Sequence, residues 1–221
     1  ESVTSLSLRD RLAREKDTLG LYLTGHPIDV YKHELQYLAK SRIVDLRSGS
    51  DDQLVAGLIV GMRTMRSRKG EIIAFMTLDD RSGRVEVSVF AELYERNREL
   101  LQKDTVIVVK GSASFDDFSD GLKIRATEVY SMDRARARSA KKLKVNLDQR
   151  SMPEDFVAEL ADILAPYKGP DKDGCPVVVE YCRSEASAEV IFGDEWRVSL
   201  CDDLIQNLRN HYGSEQVYLH Y

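Results

Sequence analysis

Between residues 55 and 130 the chain spells three strand-like segments, one helix and two more strand-like segments, and this order constrains the fold more than any other feature. VAGLIVGMRTM, EIIAFMTLDD and RVEVSVF come first, AELYERNRELL follows, and TVIVVKGSAS and GLKIRATEVY close the run. Val85, Val87 and Val89 alternate with Arg84, Glu86 and Ser88, the period of a strand with one face buried. Ile72, Ala74, Met76 and Leu78 take one face of the second segment, leaving Ile73, Phe75 and Thr77 on the other. Arg81-Ser82-Gly83 supplies the turn between the second and third segments. Gly57 and Gly61 inside the first segment predict bulges or sharp coiling, which a small barrel needs in order to close. Leu93, Tyr94, Asn97, Leu100 and Leu101 line one helix face, placed to plug the barrel between strands three and four.

This order is the pattern of an OB-fold, a five-stranded Greek-key barrel whose open face and loops commonly hold oligonucleotides. Ahead of it, residues 5–23 have a helical period, with Leu6, Leu8, Leu12, Leu19 and Leu23 among charges. Ser5 or Ser7 is placed to cap that helix, and Gly25 and Pro27 end it. Asp29 is placed to cap a second short helix with Val30, Leu35 and Leu38 inside. The lead-in, residues 1–50, is too small for its own core and is expected to pack on the barrel (51–131) or on something upstream. Residues 132–144, MDRARARSAKKLK, read as a basic linker. Beyond it the order over 145–221 is β-α-β-β-β-α-β: strands at 143–147, 176–183, 188–192, 196–200 and 216–221, and helices at about 153–165, with Pro153 in the first turn, and at 202–211. That order approaches a split βαβ sandwich. The fold class expected is therefore β plus α/β, an OB-fold barrel with N-terminal helices followed by a small α+β domain.

The chain has 221 residues and a net charge of −5, but the charge is unevenly spread. Residues 131–150 carry 7 basic and 2 acidic side chains, whereas 151–221 carry 5 and 14. Nucleic acid is a dense polyanion, so the acidic end is expected to meet a protein, and the basic stretch to face nucleic acid or that partner. The apolar runs are strand-length, too short to span a membrane as a helix. The first residues lack the pattern of a secretory signal, and a start at Glu1 reads as a cut from a longer protein. Cys175, Cys182 and Cys201 have no CxxC spacing and read as buried free thiols of a reducing cytosol rather than a metal site.

Catalytic patterns are sparse. Asp79-Asp80, Asp116-Asp117 and Asp202-Asp203 are carboxylate pairs of the kind that hold Mg²⁺, yet each sits at a strand end or turn, where Asp is common. The four histidines have no ligand spacing, and neither a GxSxG elbow nor a Gly-rich phosphate loop occurs. No catalytic residue, metal or cofactor is expected in this chain. Binding residues are better marked. Arg63, Arg66, Arg68 and Lys69 gather at the first hairpin, and Phe115 and Phe118 lie near Lys110, Lys123 and Arg125. Phe75 and Phe90 offer further platforms. Basic groups track a phosphate backbone, and a base stacks on an aromatic ring for about 1–3 kcal/mol with little sequence preference. Weak single-stranded DNA binding is the expectation. An RNA-binding anticodon barrel and a protein-docking spacer remain open alternatives.

EKDTLGLYLTGHP (15–27), TLDDRSGRVEV (77–87), SFDDFSDGLK (114–123), FGDEWRVS (192–199) and GSEQVYLHY (213–221) closely resemble the C-terminal region of the alpha subunit of bacterial DNA polymerase III, a C-family DNA polymerase. The resemblance covers nearly the whole chain. It implies a non-catalytic end of a replicative polymerase, with the catalytic carboxylates far upstream. It further implies a barrel that contacts single-stranded template, a last domain that binds the tau subunit of the clamp loader, and a cytoplasmic, nucleoid-associated replisome. Trp196, Gln216, Val217, Tyr218, Leu219 and Tyr221 are the expected tau contacts. The family's usual clamp peptide has no counterpart in residues 1–14. Gln216 to Tyr221 loosely resembles one, giving a secondary sliding-clamp contact as an alternative to a closing strand.

Overall fold

The computed structural model describes residues 7–116, 121–148, 155–169, 174–182 and 187–221. Phe118, Asp117, Pro153 and Arg183 lie outside the described residues, as does the start of the expected 153–165 helix. The chain divides into two compact units, Glu1–Ser131 and Met132–Tyr221.

In the first unit, helix α1 (Leu8–Leu19) begins where the Ser7 hydroxyl accepts from the Asp10 amide and ends at Gly20, whose φ of +74° is left-handed. The chain turns back because the Glu15 carboxylate accepts from the Leu23 and Thr24 amides and the Thr24 hydroxyl. A 3-10 turn (Pro27–Tyr31) then leads into α2 (Lys32–Leu38). His26 caps the 3-10 turn, and α2 itself starts after Tyr31 without a side-chain cap, so Asp29 does not cap it. His26 Nδ1 accepts from the Ile28 amide at 3.2 Å, and the Asp29 carboxylate reaches back to the His26 amide at 3.0 Å, so the two close a reciprocal box. Burial pushes the His26 pKa down, favouring the neutral ring, and the Ile28 bond selects the tautomer with its proton on Nε2.

The barrel consists of β1 (Ser50–Arg66), β2 (Ile72–Asp79), β3 (Arg84–Val89), α3 (Ala91–Asn97), β4 (Val106–Asp116) and β5 (Gly121–Ser131). It closes in the order β1-β2-β3-β5-β4. All pairs are antiparallel except β3 with β5, which run parallel over Glu86–Ser88 and Lys123–Arg125. Val55, Ile59, Ala74, Met76, Leu78, Val85, Val87, Val89, Ile107, Val109 and Ile124 fill the interior, sealed by Tyr94 of α3 and Leu101 beyond it. The β1–β2 register slips between Ile59 and Gly61, the bulge that lets a single long strand serve two neighbours. The β2–β3 turn anchors the lead-in: Arg81 Nη1 grips both oxygens of Asp29 at 2.8 and 2.9 Å, and Asp80 Oδ2 accepts from the Ile43 amide.

In the second unit, β6 (Lys142–Asp148), β7 (Val177–Cys182), β8 (Ser187–Ile191) and β9 (Val217–His220) form a sheet in the order β8-β7-β6-β9. β6 and β7 are parallel and the outer pairs antiparallel. Leu143, Val145, Val177, Val179 and Val217 pack against Phe156, Leu160 and Leu164 of α5 (Phe156–Leu164) and Leu204 and Leu208 of α6 (Asp202–Tyr212). Two expectations are corrected. The stretch 132–144 is no linker: it forms α4 (Met132–Ser139) and opens β6. Within it Arg136 is buried, ion-paired to Asp202 at 2.6 Å and to Asp133 at 3.1 Å. Residues 196–200 are not a strand either. A 3-10 turn (Asp194–Trp196) is followed by Val198, which makes single bridges to Lys168 and Cys175. Three apolar residues in five read as a strand, but they enter the core from a loop.

Candidate nucleic-acid interface

Strand alternation sends Arg63, Phe75, Ser88 and Arg125 outward, and cross-strand register lines them up. Arg63 faces Phe75, Phe75 faces Ser88, and Ser88 faces Arg125, one row over four strands. The Arg63 guanidinium lies 4.4 Å from the Phe75 ring centroid, and Arg125 lies 4.6 Å from that of Phe90, which follows β3. A planar cation resting on a ring gives a base a flat surface and a phosphate a donor at the same place. Two residues along, on the same outward face, Glu86 faces Lys123. Its carboxylate meets Arg63 Nη2 at 3.3 Å and Lys123 Nζ at 3.1 Å, and Lys123 also meets Asp116 at 2.9 Å. Those partners, Asp116 first, raise the Lys123 pKa and hold it charged.

The β1–β2 hairpin extends this row. Its tip is a closed turn: the Ser67 amide donates to the Glu71 carbonyl, Ser67 Oγ accepts from the Lys69 and Glu71 amides, and Gly70 takes a φ of +83°. Arg66, Arg68 and Lys69 are thereby held in solvent on a short frame, with Arg66 bonded to the Gly70 carbonyl at 3.4 Å.

The other expected contacts fall elsewhere. Lys110 lies on the β1–β4–β5 side, opposite Leu54 and Glu128, and pairs with Asp52 at 3.0 Å and Glu128 at 3.7 Å. It lies away from the row. Phe115 is exposed near the end of β4, with its amide on Ser48 Oγ. The residue that sequence reasoning missed is Glu86. Alternation marked it as outward, but only the parallel β3–β5 pairing shows that it sits among the cations.

The carboxylate pairs have structural work. Asp79 accepts from Arg84 Nε and the Arg81 amide, and Asp80 Oδ1 accepts from the Ser82 and Gly83 amides. Asp202 pairs with Arg136. Among the described residues no three His, Cys, Asp or Glu side chains converge as metal ligands. Burial pushes the Cys175 thiol up to about 11, so it stays protonated; Cys201 is a partly exposed free thiol. No described helix is long and apolar enough to cross a membrane.

In the second unit, β9 takes part in the sheet along its length. Val217 is 1% exposed, Leu219 packs on the core, and the Gln216 carbonyl accepts from the Asn146 amide. Val217 and Leu219 are therefore core residues rather than contacts, and the segment is no free clamp peptide. Tyr218 points the other way, its hydroxyl within 3.3 Å of both Asn146 and Glu180, and the Tyr221 carbonyl accepts from Lys141. Trp196 packs edge-on to Phe192 with Lys168 Nζ 3.4 Å from its ring centroid. Both aromatics line an apolar groove of about 590 Å³ with Leu147, Phe156, Val157 and Val190. Val157 and Val190 are 66% and 54% exposed.

Two family models match the chain: "OB-fold nucleic acid binding domain" over residues 54–131 and "DNA polymerase III subunit alpha, C-terminal domain" over 159–213. Curated relatives include DNA polymerase III subunit alpha of Pseudomonas aeruginosa, 45% identical over 99% of this chain. The Escherichia coli K12 subunit is 41% identical over 94% of it. In both, the chain spans 18% of the relative's length. Among solved structures, the second OB-fold domain of replication protein A from Methanococcus maripaludis is similar at 16% identity, covering 42% of this chain and 93% of that one, with a TM-score of 0.34.

Proposed function

We infer, from a chain that belongs to the DNA polymerase III alpha-subunit family through its C-terminal region, that the barrel holds single-stranded template near a polymerase active site located outside these residues. The row Arg63, Phe75, Ser88 and Arg125, with Phe90 beside it, is the observation that supports this reading. Bases stack against the two ring–guanidinium pairs, while Lys123 and the hairpin cations meet phosphates without reading sequence. Removing one stacking platform typically costs about 1–3 kcal/mol. The double variant Arg63→Ala/Phe75→Ala is therefore expected to weaken oligo-dT binding at least about tenfold by fluorescence anisotropy, with Lys110→Gln unchanged. Equal affinities across all three proteins would contradict the reading. Tighter binding of oligo-U than of oligo-dT would favour an RNA-binding barrel instead.

For the second unit we propose docking of the tau subunit of the clamp loader, which would couple polymerase to replisome. Supporting it are the family match over 159–213, the groove lined by Phe156, Val157, Val190, Phe192 and Trp196, and an acidic sequence that disfavours nucleic acid. A basic, apolar segment of tau fits those properties. Deleting residues 213–221 would not test this, because it removes core Val217. Val190→Asp places a charge in the groove from an exposed position, and calorimetry should show tau affinity falling at least about tenfold with the fold intact. Unchanged affinity would remove the groove from the account.

A further inference from the structure

We propose that Glu86 is a built-in competitor for the nucleic-acid phosphate, setting the affinity of the barrel face by occupying its cations when no strand is bound. The proposal rests on the single-strand reading of this face. Glu86 stands beside the row, two residues before Ser88 on β3, and its two oxygens engage different strands: Oε2 with Arg63 of β1 at 3.3 Å and Oε1 with Lys123 of β5 at 3.1 Å. Oε1 is shielded from solvent and accepts no hydrogen bond, so it meets Lys123 by charge alone. A carboxylate that bridges two basic side chains, beside two stacking platforms, holds the place that a backbone phosphate would take between two stacked bases. Arg63 and Lys123 are 58% and 32% exposed, so a strand reaches both from the solvent side.

Binding is then an exchange. The phosphate takes the guanidinium and the ammonium, and Glu86 is left beside a polyanion with its partners gone. Exposed ion pairs are individually weak, so the exchange is possible, but it penalises every binding event. Asp116, the second carboxylate on Lys123 at 2.9 Å, acts in the same direction from the end of β4. The arrangement gives a face that grips a strand loosely and releases it readily, as a moving template requires. It also accounts for carboxylates set among the cations and rings of this face, where simple charge matching to DNA would place none.

The test is oligo-dT binding by the 221-residue chain, read by anisotropy across a salt series, for wild type, Glu86→Gln, Arg63→Ala/Arg125→Ala and Glu86→Gln/Lys123→Gln. Glu86→Gln keeps the shape and removes the charge. It should bind about three- to tenfold tighter at low salt, with a log–log salt slope steeper by about 0.7, one further phosphate contact on a single strand. The Glu86→Gln/Lys123→Gln double variant, which restores the net charge of the cluster, should return close to wild type. If Glu86→Gln binds no tighter while Arg63→Ala/Arg125→Ala binds more weakly, the competitor role is overturned and the face reading stands. If none of the variants differs from wild type, the face reading itself falls and the competitor role with it.

Discussion

Replacing Gly111 with alanine is expected to destabilise the barrel by about 3 kcal/mol, lowering the first unit's Tm by about 10 °C. The β4–β5 register slips between Lys110 and Gly111, and there the strands come so close that an added Cβ would lie 2.2 Å from the Arg125 carbonyl oxygen. It would also lie 2.9 Å from the Ile124 Cγ2. The obstacle is mostly backbone, so no side-chain rotation relieves it, and close-packed interiors yield little. Relief requires β5 to move, which disturbs Ile124 in the core and Arg125 in the binding row together. Denaturant unfolding followed by near-UV signal measures the loss. A change of less than about 0.5 kcal/mol, the range of an ordinary surface substitution, would show that β4 and β5 are not paired as described.

The second large effect is expected from Arg136→Ala, at about 2–3 kcal/mol for the unit Met132–Tyr221. The Arg136 side chain is 2% exposed and its guanidinium bonds Asp133 and Asp202. Removing one partner of a buried pair leaves the other charge short of compensation, which is costlier than the pair itself is stabilising. Asp202 is partly exposed and stands in the first turn of α6, where the helix dipole favours a carboxylate; both features reduce the loss. Nη1 meets both carboxylates, and Arg136→Lys should recover only part of the loss, because an ammonium keeps the charge but not the guanidinium's further N–H donors. Hydrogen exchange over 132–221 reports the change, and the exposed Arg138→Ala is the comparison, expected within about 0.5 kcal/mol. Equal effects at the two arginines would contradict the buried pair.

The barrel was readable from sequence because its determinants are local. Val85, Val87 and Val89 carry the period of β3 on their own, and Ala74, Met76 and Leu78 do the same for β2. What escaped depends on residues far apart in the chain. Arg136 looked like one more charge in a basic run, since its partner Asp202 lies on α6. His26 caps the 3-10 turn ahead of α2 because burial favours a neutral imidazole, and burial is not a property of the local sequence. Lys110, Lys123 and Arg125 were indistinguishable as basic strand residues. The barrel order separates them, sending Lys110 to Asp52 and Glu128, Arg125 to the row beside Phe90, and Lys123 to Glu86 next to that row. The Val217 and Leu219 pair fits a strand and a clamp peptide equally by composition, and only pairing with β6 decides between them.

The central claim, that the outer face of β1, β2, β3 and β5 holds single-stranded DNA through its backbone and by stacking, is tested most directly by a salt titration of oligo-dT binding. With Arg63, Lys123 and Arg125 on the face and three more cations on the hairpin, the log–log slope should lie between about −2 and −4, at about 0.7 per phosphate. It should become shallower by about 1.4 in Arg63→Ala/Arg125→Ala, two phosphates at about 0.7 each. Binding with no salt dependence, or a slope identical in the double variant, would contradict it.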